Sequence, residues 1–367
     1  MIIENIETFK QCVPLTKPFK TALRTVAQAE SIIVKITCDN GIIGWGEAPP
    51  THVITGDSMG SINGALLHVI KPVLLGGSLS AYERLFSLLD NSIIANPSAK
   101  AAVDMAIYDC LSQSANLPLY QYLGGYRDTL ETDFTVSVND PDEMGEDALR
   151  YAKKGFNVLK VKVGKDDPDL DFQRIRAIRQ RAGREIKLRL DANQGWSVKE
   201  AVRIIRRLED AQLDIELIEQ PVHRTDIRGL KAVSDAVDIP IMADESIFSP
   251  QDAFELLRTR STDLINIKLM KSGGIHKALL INKMAEMCGV ECMVGSMIES
   301  KLGLTAAAHL AASQKNITRC DLDAALMLDY DPVDGGIIYQ GRDISFPKQP
   351  GLGIANLKGL RGIVYEG

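Results

Sequence analysis

Cysteine is scarce and unpatterned in this chain. The six residues, Cys12, Cys38, Cys110, Cys288, Cys292 and Cys320, are scattered and form no Cys-x-x-Cys pair. That spacing argues against a disulfide framework or a zinc site and leaves buried thiols. No Lys/Arg run is long enough to make a basic patch, and the net charge is −6. Neither nucleic acid nor an anionic membrane is therefore an expected partner. Long apolar runs are also missing. The first ten residues mix charged and apolar types without a signal-peptide core, and no stretch reads as a bilayer span. The expected location is the cytoplasm. No segment is of low complexity, and none of the five histidines falls at an obvious strand end.

What is present is enough apolar sequence, 45% of 367 residues, to bury a large core. The N-terminal part reads as strands over 2–13 and 31–38, with Asp39-Asn40-Gly41 turning the second into a run over 42–46. Helical stretches follow at about 60–75, 81–90 and 98–113, an α+β pattern. From Thr132 the pattern changes. Short apolar strands at 133–138, 158–163, 187–192, 215–220, 241–244, 264–269, 290–295 and near 320–323 alternate with amphipathic helices such as 198–210 and 251–260. Repeated βα units imply a parallel sheet, and eight strands favour a closed barrel. The expected division is an α+β capping domain over 1–130, a barrel over 131–328 and a Gly/Pro-rich return over 329–367.

Functional groups of such barrels gather at the C-terminal ends of the strands. Those ends hold Lys160 and Lys162, Asp191, Glu219, Asp244, Lys268, and finally Asp321 and Asp323, spaced mostly by one βα unit. Ionisable groups inside apolar strands such as Leu217-Ile218-Glu219 are costly unless paired or metal-bound. Asp191, Glu219 and Asp244 lie on consecutive strands and offer only oxygen, which selects a hard cation, Mg²⁺ first. Asn193 and Glu245 are supporting candidates. Lys160 and Lys162 point to one side of their strand. Lys268 comes four units later, on the opposite wall. A substrate held between them meets a lysine on each face, as inversion at carbon requires, and nearby cations lower a lysine toward neutrality. Asp321 and Asp323 add negative charge suited to a cationic substrate group. Thr135, on the first barrel strand, is a candidate hydrogen-bond donor. Lys271-Ser272-Gly273-Gly274 reads as a tight turn rather than an anion cradle.

Lys160-Val161-Lys162, Leu190-Asp191-Ala192-Asn193, Ile218-Glu219-Gln220-Pro221, Ala243-Asp244-Glu245-Ser246 and the later Lys268 resemble the muconate-lactonizing-enzyme subgroup of the enolase superfamily over nearly the whole chain. The resemblance implies a modified (β/α)8 barrel of (β/α)7β form beneath an α+β cap. It implies one Mg²⁺ on Asp191, Glu219 and Asp244, an acid/base pair of Lys162 and Lys268, and Lys160 stabilising the enolate charge. The Asp-x-Asp at 321 and 323 is similar to that of the subgroup's dipeptide epimerases, where it binds the substrate's N-terminal ammonium. The segment Phe19-Lys20-Thr21-Ala22-Leu23-Arg24-Thr25 resembles the mobile capping loop of those acting on Ala-Glu, which implies that Arg24 meets the glutamate side chain. A homo-oligomer and a place in murein-peptide turnover are further implications. The absence of strand-end histidines argues against the acid-sugar dehydratases of the same superfamily. The competing expectations are another reaction of the subgroup, o-succinylbenzoate synthesis or cycloisomerisation, and a non-catalytic barrel that binds Mg²⁺ and a peptide.

Overall fold

The short apolar strands close into a ring. In the computed structural model, which describes residues 1–363, eight parallel strands pair in sequence order. They are Phe134–Val136, Val158–Lys162, Lys187–Asp191, Ile215–Glu219, Ile241–Ala243, Leu264–Lys268, Glu291–Gly295 and Ile317–Asp321. The last strand returns to the start of the first, where the Asp133 N–H donates to the Cys320 carbonyl at 3.3 Å and the Leu322 N–H to Thr132 Oγ1 at 2.8 Å. Helices follow the first seven strands, and only the short 3-10 turn Ala324–Met327 follows the eighth. The barrel is therefore of (β/α)7β form. The C-terminal segment expected over 329–367 can be followed to 363, and 364–367 lie outside the described residues.

The helix starts are written locally. Asp140, Asp167, Ser197, Asp226, Ser249 and Ser300 each accept a first-turn N–H of the helix they precede. Among the longer barrel helices described, the exception is Ile275–Met287, preceded by Gly274, which has no side chain to cap with. Its cap comes from far away in sequence. Asp104 accepts the Ile275 N–H at 2.5 Å and the His276 N–H at 3.2 Å. Gly274 stands at φ +121, and a Cβ there would lie 2.2 Å from the Asp104 carboxyl carbon. The anion cradle weighed for 271–274 is thus filled by an internal carboxylate. The expected turn is one helical turn, Leu269–Ser272, ended by Gly273 at φ 81.

Asp104 lies on the helix Pro97–Ser114, which is buried along nearly its whole length. That helix packs on an antiparallel sheet built from Ile3–Lys20, Thr25–Cys38 and Ile43–Ala48. The contact is close because Gly46 faces it, where a Cβ would stand 1.8 Å from the Ala102 carbonyl oxygen. A second carboxylate crosses to the barrel. Glu47 accepts the Ser300 and Gly303 N–H groups, each at 2.8 Å, at the start of Lys301–Ser313. The chain returns to this sheet at its end, where Arg361–Gly362 pairs with Phe9 and Lys10.

The first two strands run much further than the apolar pattern of 2–13 and 31–38 suggests. Residues 14–20 and 25–30 form a two-stranded arm at the edge of the main core, which buries Ala29 and takes Leu15, Phe19 and Val26 only in part, too few apolar contacts to read as a strand pattern. The barrel rim holds this arm. Lys17 pairs with Glu143 at 2.6 Å and Asp147 at 2.8 Å, and the Val138 N–H donates to the Lys20 carbonyl at 3.2 Å. The arm's tip, Thr21 to Arg24, is thereby carried to the barrel mouth.

The Asp104 cap yields a stability prediction. Asp104→Ala strands two buried N–H groups at the join of cap and barrel and should cost about 2–4 kcal/mol. The measurement is the urea midpoint of the purified chain. An unmoved midpoint would show that the cap contributes nothing to the join.

Candidate active site

Alternation along each strand decides which side chains enter the barrel. Leu217, Met242, Leu264 and Met293 turn inward and form an apolar cluster separate from the main core. On the same face, two residues beyond Leu217 and Met242, stand Glu219 and Asp244. One carboxylate oxygen from each of Asp191, Glu219 and Asp244 lies within 4.8 Å of the other two, and all three residues are buried.

Lysines offset the repulsion among these acids. Lys160 Nζ lies 3.2 Å from Asp191, 2.8 Å from Glu219 and 2.7 Å from Asp321. Lys162 lies 2.5 Å from Asp191, and Lys268 lies 2.7 Å from Asp244. Burial pushes Asp191 upward, but Lys162, Lys160 and Lys268 outweigh it and hold the carboxyl down at about 2. Glu219 goes the other way. Burial and the charge of Asp191 push it up to about 7. Burial favours the neutral form of Lys268, yet Asp244 outweighs burial and keeps it above the usual lysine range. For Lys268 this differs from the expectation that nearby cations lower it: Lys160 does so, but the pull of Asp244 is larger.

The acids fit Mg²⁺. Their donors are all oxygen, and Glu219 Oε2 and Asp244 Oδ1 are buried with only lysine charge contacts and no aligned hydrogen bond. Gln220 fixes the ring between strands. At φ 37 it turns its side chain to accept the Asp244 N–H at 2.9 Å and the Ser246 N–H at 3.2 Å. Its amide nitrogen donates to the Val222 carbonyl and to Ser246 Oγ. Asn193 donates to Glu245 at 3.1 Å, and burial with the charge of Asp244 pushes Glu245 up to about 8.

Above this layer is a pocket. Lys162, Lys268, Asn193, Glu245, Thr135, Asp321 and Asp323 line it from the barrel, and Phe19, Thr21, Leu23 and Arg24 from the arm's tip. Lys160, Asp191 and Glu219 are not in the lining and lie beneath it, each about 1% exposed or less. Thr135 is placed twice over. It lines the pocket, and its N–H donates to Asp323 Oδ2 at 2.6 Å, so it also orients that acid. At the tip, Thr21 Oγ1 accepts the Leu23 and Arg24 N–H groups at 3.1 and 3.2 Å. The Arg24 guanidinium has no carboxylate partner among the described residues, and burial lowers it from the ordinary arginine value.

Some members of the site have no plain signal in the sequence. Lys271 is fully buried, 2.5 Å from Asp244 Oδ1, and donates to the Asp244 and Asn266 carbonyls. Its three-residue spacing from Lys268 is a usable clue, hidden because 271–274 reads as a turn. The Phe19 ring centroid stands 5.8 Å from Lys162 Nζ, and Val53, Ile54, Met297 and Ile298 complete the apolar wall. These come from separate loops, and nothing local marks them.

Comparison with known proteins agrees with this geometry. The family model for the mandelate racemase / muconate lactonizing enzyme N-terminal domain matches residues 4–124, and that for the enolase C-terminal domain-like fold matches 143–356. The L-Ala-D/L-Glu epimerase of Bacillus subtilis (strain 168) is 64% identical over 362 residues, 99% of either chain. The structure of a substrate-liganded complex of the L-Ala-D/L-Glu epimerase from Bacillus subtilis superposes with a TM-score of 0.97 at 65% identity, covering 97% of this chain and 99% of that one. The dipeptide epimerase of Enterococcus faecalis V583, solved with Mg and L-Leu-L-Tyr, superposes with a TM-score of 0.94 at 44% identity, covering 97% of this chain and 100% of that one. Matched in both its cap and its barrel, the chain belongs to the mandelate racemase / muconate lactonizing enzyme family of the enolase superfamily.

Proposed function

We propose that this dipeptide epimerase acts on Ala-Glu, interconverting L-Ala-L-Glu and L-Ala-D-Glu by inversion at the α-carbon of the second residue. The observation that carries the reading is the order of charges around one pocket. A carboxylate pair, Asp321 and Asp323, stands on the wall. Lys162 and Lys268, from strands four apart in the ring, both line the pocket. The cap supplies Arg24, whose guanidinium has no carboxylate partner among the described residues. A dipeptide ending in glutamate has the matching charges: an ammonium, an α-carboxylate and a side-chain carboxylate.

Asp191, Glu219 and Asp244 are the residues that would hold Mg²⁺. Bound there, Mg²⁺ supplies electrophilic stabilisation to the substrate's α-carboxylate as its α-proton leaves. Lys160, held beneath the three acids, adds a fixed positive charge on the same side. One lysine, neutral at the time, takes the α-proton, and the other, as ammonium, delivers a proton to the opposite face. Reversing the two roles returns the first epimer. Asp321 and Asp323 accept hydrogen bonds from the substrate ammonium. The Arg24 fork pairs with the glutamate side chain. Phe19, Ile54 and Met297 exclude water from the reacting carbon. We also propose murein-peptide turnover in the cytoplasm by a homo-oligomer, a setting supported by the resemblance to Ala-Glu epimerases. Among the described residues, no helix is long and apolar enough to cross a membrane.

The substrates of o-succinylbenzoate synthesis and cycloisomerisation carry no ammonium and leave Asp321 and Asp323 without a role. A purely binding barrel leaves the opposed lysines without one.

Three measurements test the reading. Chelation with EDTA should abolish epimerisation and added Mg²⁺ should restore it, with calorimetric Mg²⁺ binding lost in Asp244→Ala. Full turnover after verified removal of metal would end the metal assignment. Lys162→Ala and Lys268→Ala should each lower epimerisation by about 10²–10⁴-fold or more. Each should still exchange the α-hydrogen of one epimer in D₂O, and retained interconversion in both variants would rule out two opposed bases. Arg24→Ala should lose about 2–5 kcal/mol of kcat/KM on Ala-Glu and little on Ala-Met. A uniform loss on both dipeptides would remove Arg24 from the side-chain site.

A further inference from the structure

Asp321 and Asp323 have a third companion. Asp133 precedes the first barrel strand, is buried, and brings a carboxylate oxygen within 4.8 Å of one from each of the other two acids. It does not line the substrate pocket. It opens instead, with Arg189, onto the cleft at the opposite end of the barrel. Asp133 Oδ2 pairs with Arg189 Nη1 at 2.9 Å, while Asp133 Oδ1 is buried without a hydrogen-bond partner.

The cations nearby are shared. Arg189 also serves Glu216, at 2.8 Å. Lys160 serves Asp191 and Glu219 as well as Asp321. Granting Asp133 all of Arg189 and Asp321 all of Lys160 still leaves Asp323 uncompensated. Burial and the charge of Asp321 push Asp323 up to about 7, and burial with the same neighbour pushes Asp133 above the usual carboxylate range against the pull of Arg189, so the cluster holds protons where positive charge is short and releases them when a cation enters. A buried cluster in this condition attracts one more cation.

We propose that Asp133 is a positioning residue of the ammonium site. From one layer below Asp321 and Asp323, its carboxyl group, paired with Arg189, offsets that guanidinium and supplies negative charge to that end of the pocket when an ammonium is bound. The inference rests on the reading of Asp321 and Asp323 as ammonium acceptors.

The test compares two ligands on the Mg²⁺-loaded enzyme: the KM of L-Ala-L-Glu, and the competitive Ki of N-propionyl-L-glutamate, which has the same skeleton without the ammonium. The readout is the ratio of Ki to KM. Asp133→Asn should lower it about tenfold by raising KM, with kcat within about threefold of wild type. Arg189→Met, which uncovers the Asp133 charge instead, should raise the ratio. Both variants are first checked for native circular dichroism. If Asp133→Asn does not fold, the direction of the Arg189→Met shift decides. An unchanged ratio in Asp133→Asn, or a ratio lowered in Arg189→Met, overturns the proposal. A wild-type ratio near one overturns the ammonium reading beneath it, and the Asp133 role with it.

Discussion

Charge at the mouth of this barrel is buried, and it is bearable only because opposite charges arrive from different strands. An ion taken alone into a protein interior loses several kcal/mol of hydration. Lys160 is about 1% exposed and meets carboxylates from three other strands. Asp244 meets Lys268 and Lys271 through its two oxygens. None of these contacts is local, so each requires the parallel register that the sheet adopts, with Lys162 beside Asp191 and Asp191 beside Glu219. Register and charge balance therefore support one another. A one-residue slip would turn the acids out of the barrel and leave the lysines buried without partners.

The same opposition is what the chemistry draws on. The acids and lysines are desolvated and held in fixed orientations by their ion pairs, with Lys162 and Lys268 on strands four apart in the ring. A pocket above them is lined by both lysines. The layer below is apolar on one side, at Leu217, Met242, Leu264 and Met293, and charged on the other, at Asp133 and Arg189.

The cap depends on a second set of carboxylates. Glu47 and Asp104 reach across to the N-termini of two barrel helices, where the helix dipole and unpaired N–H groups favour an anion. These contacts fix the sheet relative to the barrel, and the sheet fixes the arm. Arg24 and Phe19 reach the pocket because the strands behind them are pinned at both the core and the rim.

Much of this could be read in the chain. Strand-end acids and lysines at one-βα-unit intervals point to a barrel with a charged mouth, because apolar strands tolerate charged residues only when they are paired or metal-bound. The length of the capping arm was not legible, since residues 14–20 and 25–30 pair with each other and with the barrel rim and bury only Ala29 fully among their apolar residues. Lys271, Asp133 and the Gly274 helix start were not legible either. The sequence by itself determined which residue types stand at the strand ends and which chemistry they can perform, because period two and residue type are local properties. Only the tertiary structure decided which acid each lysine meets, which helix borrows its cap, and where Arg24 sits. Those depend on distances between segments far apart in the chain, and only the closed barrel sets those distances.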